Sequence, residues 1–398
     1  MNINPSPLTL RRYFPWFFLY AMACPMAFPI TPAIISGLGI PDYMFGIAFA
    51  AMSFFSFLLA PLWGRLSDAY GRGPILTITV LGSAVGQTIL CFCYNAPTLI
   101  LARGVTGCFN GGHLINSMAY FAEAGGGEMR NRNLALHVTC STLFSALGYL
   151  VGGLLGDISH GYTFALQIGL LILCGVTLLP LVGEPPRHAA AVTQAPNPLE
   201  AFRSARTFMN PALLISLALT VTVTVGTNLF DEAYNYFLNK NLQFPPSYIG
   251  MVRAGMGLLG LAGYYLVCRR LLQSRRLAVS QAILYGLCAL SLAAVFCARG
   301  RAELLFFAIA FSLFNSIANS LLQVMVVGSA PPQQMGATAG LFQSSKTMGS
   351  VIGSLLSGFV YTIDNTLPFL AAAFLFGTAT VVALAARFIS AKQMDPSL

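Results

Sequence analysis

The chain has 398 residues, of which 56% are hydrophobic and only 8% charged, and it carries a formal net charge of +9. A soluble protein of this length has too little polar surface to cover so much apolar material, which excludes a water-soluble globular fold. The bases are scattered over short segments between apolar runs, without the block that nucleic-acid binding requires.

A helix of roughly 20 apolar residues crosses a bilayer. Runs of that kind lie at about 13–37, 43–63, 74–93, 97–121, 134–156, 161–182, 211–238, 245–267, 277–297, 303–328, 336–361 and 366–389. The short-period alternation of a barrel strand is missing, so helices remain as the way to satisfy backbone groups in lipid. The expected fold is therefore an all-α polytopic membrane protein with twelve transmembrane helices. The first run is too long for a cleavable signal and lacks a small-residue cleavage site. It holds Pro25, Pro29 and Pro32, which release backbone carbonyls and bend a helix. With the N-terminus inside, fifteen of the 21 Lys and Arg fall on the cytoplasmic side, from Arg11 and Arg12 to Arg387 and Lys392. Only Lys240, Arg299 and Arg301 fall outside. That asymmetry predicts a multi-pass protein of the cytoplasmic (inner) membrane with both termini in the cytoplasm.

The second and third runs are joined by Gly64-Arg65-Leu66-Ser67-Asp68-Ala69-Tyr70-Gly71-Arg72. Glycines allow a tight turn, and a carboxylate flanked by guanidiniums forms charge-assisted bonds. The fourth run carries Leu99-x-x-x-Arg103-x-x-x-Gly107 and then Asn110, His113 and Asn116-Ser117 at helical spacing. The fifth contains Gly148-Tyr149-Leu150-Val151-Gly152-Gly153. Nine cysteines are scattered singly, Cys91-x-Cys93 being the nearest pair, and no spacing suits a metal or cluster. They read as soft packing residues.

Residues 183–210 are Pro-rich and polar, as a linker should be. They divide a bundle at 1–182 from one at 211–398. The halves match. A shift of 205 places Phe109-Asn110 on Phe314-Asn315, Gly148 on Gly353 and Gly153 on Gly358. A shift of 204 places Gly46 on Gly250, Arg65 on Arg269 and Arg72 on Arg276. An internal repeat of this kind predicts two pseudo-symmetric six-helix bundles. The second copy of the basic loop, Arg269 to Arg276, has no acid.

Taken together, these stretches resemble the major facilitator superfamily over nearly the whole chain. Gly64, Asp68, Gly71 and Arg72 match its loop between the second and third helices. There the resemblance implies a conformational latch made of Gly64, Arg65, Asp68, Gly71 and Arg72. The segment Phe230-Asp231-Glu232-Ala233-Tyr234-Asn235-Tyr236-Phe237-Leu238 on the seventh run is similar to the acidic stretch of bacterial drug:proton antiporters. Two departures are visible: Tyr149 stands where antiporters carry proline, and the first run lacks their acid.

Ionisable groups in lipid are costly and mark function. Arg103, Asp231, Glu232 and Arg253 share a layer about 9–12 Å below the outer face at about 1.5 Å per residue. Asp231 or Glu232 either neutralises Arg253 in a fixed pair or exchanges its partner for a proton during transport. Arg103 either joins that coupling group or bonds backbone carbonyls. Lys346 lies about 15 Å from either end of its helix, too deep to snorkel, and would face an anionic group of a substrate. His113 either titrates near neutrality or is a hydrogen-bonded packing residue. Asn110, His113, Asn116, Asn315, Asn319, Gln323, Gln343, Phe28 and Tyr234 complete the expected substrate-binding set, with interhelical packing as the alternative for the amides.

The expected function is secondary transport by alternating access. The leading reading is proton-coupled export of small amphipathic organic compounds by a monomer drawing on the proton gradient, with no other cofactor or metal. The alternatives are an anionic metabolite or lipid-like substrate, or a transporter-like sensor. An enzyme is not expected: H-E-x-x-H, G-x-S-x-G and P-loop patterns are missing from the sequence.

Overall fold

The computed structural model describes residues 7–123, 128–182, 211–271, 277–328 and 335–394, and the linker at 183–210 lies outside them. Among the described residues every regular element is helical. The first run holds two helices, α1 (Pro7–Ala23) and α2 (Thr31–Gly37). Pro25 and Pro29 cannot donate to a helical ladder, so the intervening Cys24–Ile30 forms successive turns rather than a bent continuous helix. The first bundle continues with α3 (Met44–Tyr70), α4 (Arg72–Cys91), α5 (Ala96–Glu123), α6 (Glu128–Ile158) and α7 (His160–Val182). The other six runs follow as α8 (Pro211–Lys240), α9 (Pro246–Gly263), α10 (Leu277–Cys297), α11 (Arg301–Gly328), α12 (Met335–Ile363) and α13 (Leu367–Met394). Helix α9 continues through a π turn, Tyr264–Cys268, and a last α turn, Arg269–Leu271. Among the described residues, nine helices are long and apolar enough to cross a membrane.

The chain forms two compact units. The first comprises Met1–Met44, Ala51–Pro198 and Leu238–Gly255; the second comprises Phe45–Ala50, Leu199–Phe237 and Met256–Leu398. In the first, α4 packs along α5 and α7, and α1 along α6 and α7. In the second, α10 packs along α11 and α13, and α12 along both of these. The neighbours of α4 thus reappear around α10, as the internal repeat requires. Lipid provides no hydrophobic drive between helices, so close backbone approach at small residues does that work. In the first unit, a side chain on Gly250 would strike the Tyr149 carbonyl and Gly153. In the second, one on Gly46 would strike the Ser354 carbonyl and Gly358. These two crossings join the very glycines that the repeat aligns, and they explain why the start of α3 belongs with the second unit and the start of α9 with the first.

Candidate functional site

The break in the first span organises the first unit's polar groups. A broken helix leaves carbonyls without their usual donors. Gln167, fully buried on α7, donates through Nε2 to the Ala23 and Cys24 carbonyls at 3.0 and 3.2 Å. Arg103 is 1% exposed on α5. It donates through Nη2 to Thr31 Oγ1 at 2.5 Å, and its guanidinium stands 5.6 Å over the Phe28 ring. Gly148 and Gly152 of α6 lie directly under the Met22 and Met26 carbonyls, where any side chain would collide. Those glycines therefore seat the break. On its inner side, Tyr20 donates its hydroxyl to Asn110 Oδ1 at 2.9 Å, and the Cys24 thiol donates to the same oxygen at 3.7 Å. The His113 ring is stacked on Tyr20, with centroids 3.4 Å apart.

The loop between α3 and α4 is built as a charged staple. Gly71 closes α3 with φ +94°, a conformation that side chains disfavour, and its N–H bonds the Ser67 carbonyl. Arg72, buried at the start of α4, pairs through Nη2 with Asp68 Oδ1 at 2.8 Å. Its Nη1 donates to Ser67 Oγ at 2.8 Å and to Asn116 Oδ1 at 3.4 Å. Asn116 is fully buried and donates in turn to the Gly112 carbonyl. Expected beside the substrate, Asn116 thus stands with the latch residues. Gly64 has open space where a side chain would go, so nothing steric requires glycine there in this conformation. Arg65 is half-buried.

The second unit holds a parallel arrangement. Thr227 of α8 donates to Asn315 Oδ1 at 3.2 Å, and Asn319 donates to the same oxygen at 2.9 Å. Asn228 donates to Ser350 Oγ at 3.2 Å, and Ser350 donates to the Lys346 carbonyl. Gly349 and Gly353 pack α12 against the Val221 and Val225 carbonyls of α8. The exposed apolar side chains of α12 are Met348, Ile352, Leu355, Leu356, Phe359 and Ile363. Lys346 lies about 80–180° around the helix from them at 3.6 residues per turn, and about 130° from the middle of that stripe. Its side chain is exposed, on the same polar side as Ser350 and the exposed Gln343. The ammonium therefore emerges on the face of α12 turned away from lipid.

Other expected site residues are placed differently. Tyr234 is fully buried, stacked on Phe230 at 4.9 Å and edge-on to Phe369, within an aromatic core that includes Phe311. Asp231 and Glu232 on α8 and Arg253 on α9 are half-buried, and Gln323 of α11 is exposed. Sequence reasoning passes over Gln167, Thr31, Ser67 and His137. Gln167 had a signal, as the one side-chain amide in an otherwise apolar run. His137, 3% exposed on α6, lies with Nε2 2.8 Å from Ser117 Oγ.

Residues 14–300 match the family model described as the Major Facilitator Superfamily. The quinolone resistance protein NorA of Staphylococcus aureus (strain MSSA476) is 21% identical over 354 residues, covering 88% of this chain and 89% of that protein. The class C tetracycline resistance protein of Escherichia coli is 26% identical over 356 residues, covering 86% and 87%. The crystal structure of the human organic anion transporter MFSD10 (TETRAN) superposes with a TM-score of 0.69 at 17% identity, covering 94% of this chain and 99% of that one. With the repeated helix neighbours, the staple around Arg72 and a family match over most of its length, the chain belongs to the major facilitator superfamily: it is a multi-pass membrane transporter and not an enzyme.

Proposed function

We propose that the protein exports small amphipathic organic compounds in exchange for protons, by alternating access, as a monomer in the cytoplasmic membrane with both termini inside. The observation that carries this reading is the likeness, over 86–88% of the chain, to two proteins named for resistance to quinolones and tetracycline. The chemistry fits. Asp231 and Glu232 are carboxylates within an apolar helix, and a carboxylate there exchanges a cationic partner for a proton as its surroundings change. Asp68 and Arg72 form the kind of pair that one conformation makes and another breaks. The polar sides of α5 and α11, with Asn110 and Asn315, supply hydrogen-bonding capacity for the substrate.

One observation favours a second substrate class. Lys346 presents an ammonium on the lipid-averted face of α12, which suits an organic anion, and a structural relative is titled an organic anion transporter.

The test is proton movement in proteoliposomes loaded with a pH dye, screening cationic amphiphiles against organic anions. Export of cations coupled to protons, lost in Asp231→Asn, is the expected result. Flux with anions alone, lost in Lys346→Ala, replaces it with the second reading. Binding of either class with no flux overturns both in favour of a sensor.

A further inference from the structure

We propose that His113 and His137 form a proton-carrying site inside the first unit, distinct from the carboxylates of α8. The inference rests on the proton-coupled reading above. Its geometry begins with a ring that has nothing to bond. His113 is 4% exposed, and neither ring nitrogen has a hydrogen-bond partner among the described residues. A neutral imidazole has one N–H to give and one lone pair to fill. Leaving both unmet in a buried site is costly and calls for a reason. One turn further along the same face of α5 stands Ser117, 2.8 Å from His137 Nε2. The His137 ring lies against Phe17 at 4.7 Å and Phe121 at 5.0 Å. The result is a line of exchangeable groups drawn from three helices: Asn110, Tyr20, His113, Ser117, His137.

The surroundings single out these imidazoles. From α1 the neighbouring titratable groups are Tyr13, Tyr20 and Cys24; from α5, Tyr120; from α6, Cys140; from α7, Cys174. Phenols and thiols do not take up protons near neutrality. Among the described residues, the carboxylates of the first unit are Asp42, Asp68, Glu123, Glu128 and Asp157, each in a loop or within two residues of a helix end. Of the charged groups beside α5, Arg72 at the start of α4 is bonded to Asn116 and committed to Asp68, and Arg103 is bonded to Thr31. Imidazole is thus the one group in the interior of this unit whose chemistry suits a physiological proton gradient.

The step is simple. A proton from water on the acidic side adds to the bare ring nitrogen, giving an imidazolium with two N–H donors. On the other side the same N–H bond breaks and the proton returns to water. No electron moves and no substrate bond changes. While the site is enclosed, an unpaired charge is too costly to keep there; hydration of the site is what loads it.

Two measurements on the purified full chain test this. The protein has four histidines, His113, His137, His160 and His188, so 13C-imidazole labelling resolves each by variant. We expect His113 and His137 to titrate in two coupled steps between about pH 8 and pH 5 once the site is hydrated, with removal of one raising the midpoint of the other by more than about half a unit. Second, tetraphenylphosphonium or benzoate is added in weakly buffered detergent solution with a pH dye. We expect proton release in the native protein, reduced at least about fivefold in both His113→Gln and His137→Gln, with probe affinity kept within about threefold in His137→Gln. Imidazoles that stay neutral down to pH 5, or release unchanged in both variants, overturn the proposal. Release lost in Asp231→Asn alone leaves the exporter standing and removes the histidine site. Release lost in the histidine variants alone does the reverse to Asp231. A native protein that binds probe without releasing a proton removes both.

Discussion

The two units keep one bond and differ in nearly everything charged around it. In the first, a hydroxyl on the first span, Tyr20, donates to Asn110. In the second, a hydroxyl on the seventh, Thr227, donates to Asn315, the residue the repeat places on Asn110. Glycines at equivalent positions, Gly148 and Gly353, bring α6 against the Met22 carbonyl and α12 against that of Val225. Beyond this the units part. The first span is broken at Cys24–Ile30 and stapled by Gln167 and Arg103, whereas α8 runs unbroken for 30 residues. The repeat partner of Lys346 is the neutral Ser141, and the second basic loop lacks the acid that pairs with Arg72 in the first. Duplication preserved what packing demands and released what chemistry could divide: helix neighbours and glycine seats are shared, while the mid-helix ammonium of Lys346 and the carboxylates of α8 lie in the second unit and the buried imidazoles His113 and His137 in the first.

The comparison is broken most strongly at the glycine seats. Gly148→Leu and Gly353→Leu each force a side chain into a backbone carbonyl, and overpacking of that kind costs about 3 kcal/mol. Gly148→Leu should be the worse, because its new side chain stands closer to the Met22 carbonyl than that of Gly353→Leu does to Val225, and its second neighbour is the rigid Pro25 ring rather than the Asn228 side chain. Thermal unfolding of the purified protein reads both; equal losses would mean that the break adds no fragility. Next comes Gln167→Leu, which takes the side-chain donor from the Cys24 carbonyl and leaves that of Ala23 only the Met26 N–H, at a cost of about 1–3 kcal/mol. The same assay should show lower stability and accelerated proteolysis near residue 24; an unchanged melting point would mean that the break holds itself. The smallest effect separates the shared bonds. Tyr20→Phe and Thr227→Val each remove one interhelical hydrogen bond, worth about 0.5–1 kcal/mol. Losses in substrate affinity within twofold of each other would show that the bond serves the same end in both units.

Much of this architecture was legible in the sequence because membranes impose a coarse rule on composition. Each of the twelve apolar runs is occupied by helix, and the Asp68–Arg72 staple could be anticipated from its spacing. The site was less legible, for reasons visible in particular residues. Helical spacing assigns a residue to a face but not to a partner. Asn110 and Asn116 both recur on that spacing, yet one meets Tyr20 and the other Arg72, because the staple lies nearly two turns further along α5. Tyr234 follows the acidic pair of α8 closely, yet the helix turns it into the aromatic core beside Phe230. The three prolines announced a bend; that it is a full break depends on Gln167 being available to satisfy the carbonyls, a contact that no local pattern encodes. His137 was hidden for a similar reason, since its significance lies in Ser117 on another helix.

The broken first span also bears on the order in which the protein is made. Its Thr31 waits for Arg103, 72 residues later, and its Cys24 carbonyl for Gln167, 143 residues later. The ribosome therefore delivers the break long before the groups that satisfy it. Until α7 arrives, that carbonyl has to be kept wet or borrowed by the insertion machinery. The earliest segment to enter the membrane becomes the last in its bundle to settle, and a chain truncated before residue 167 should leave this span unconsolidated however apolar it is.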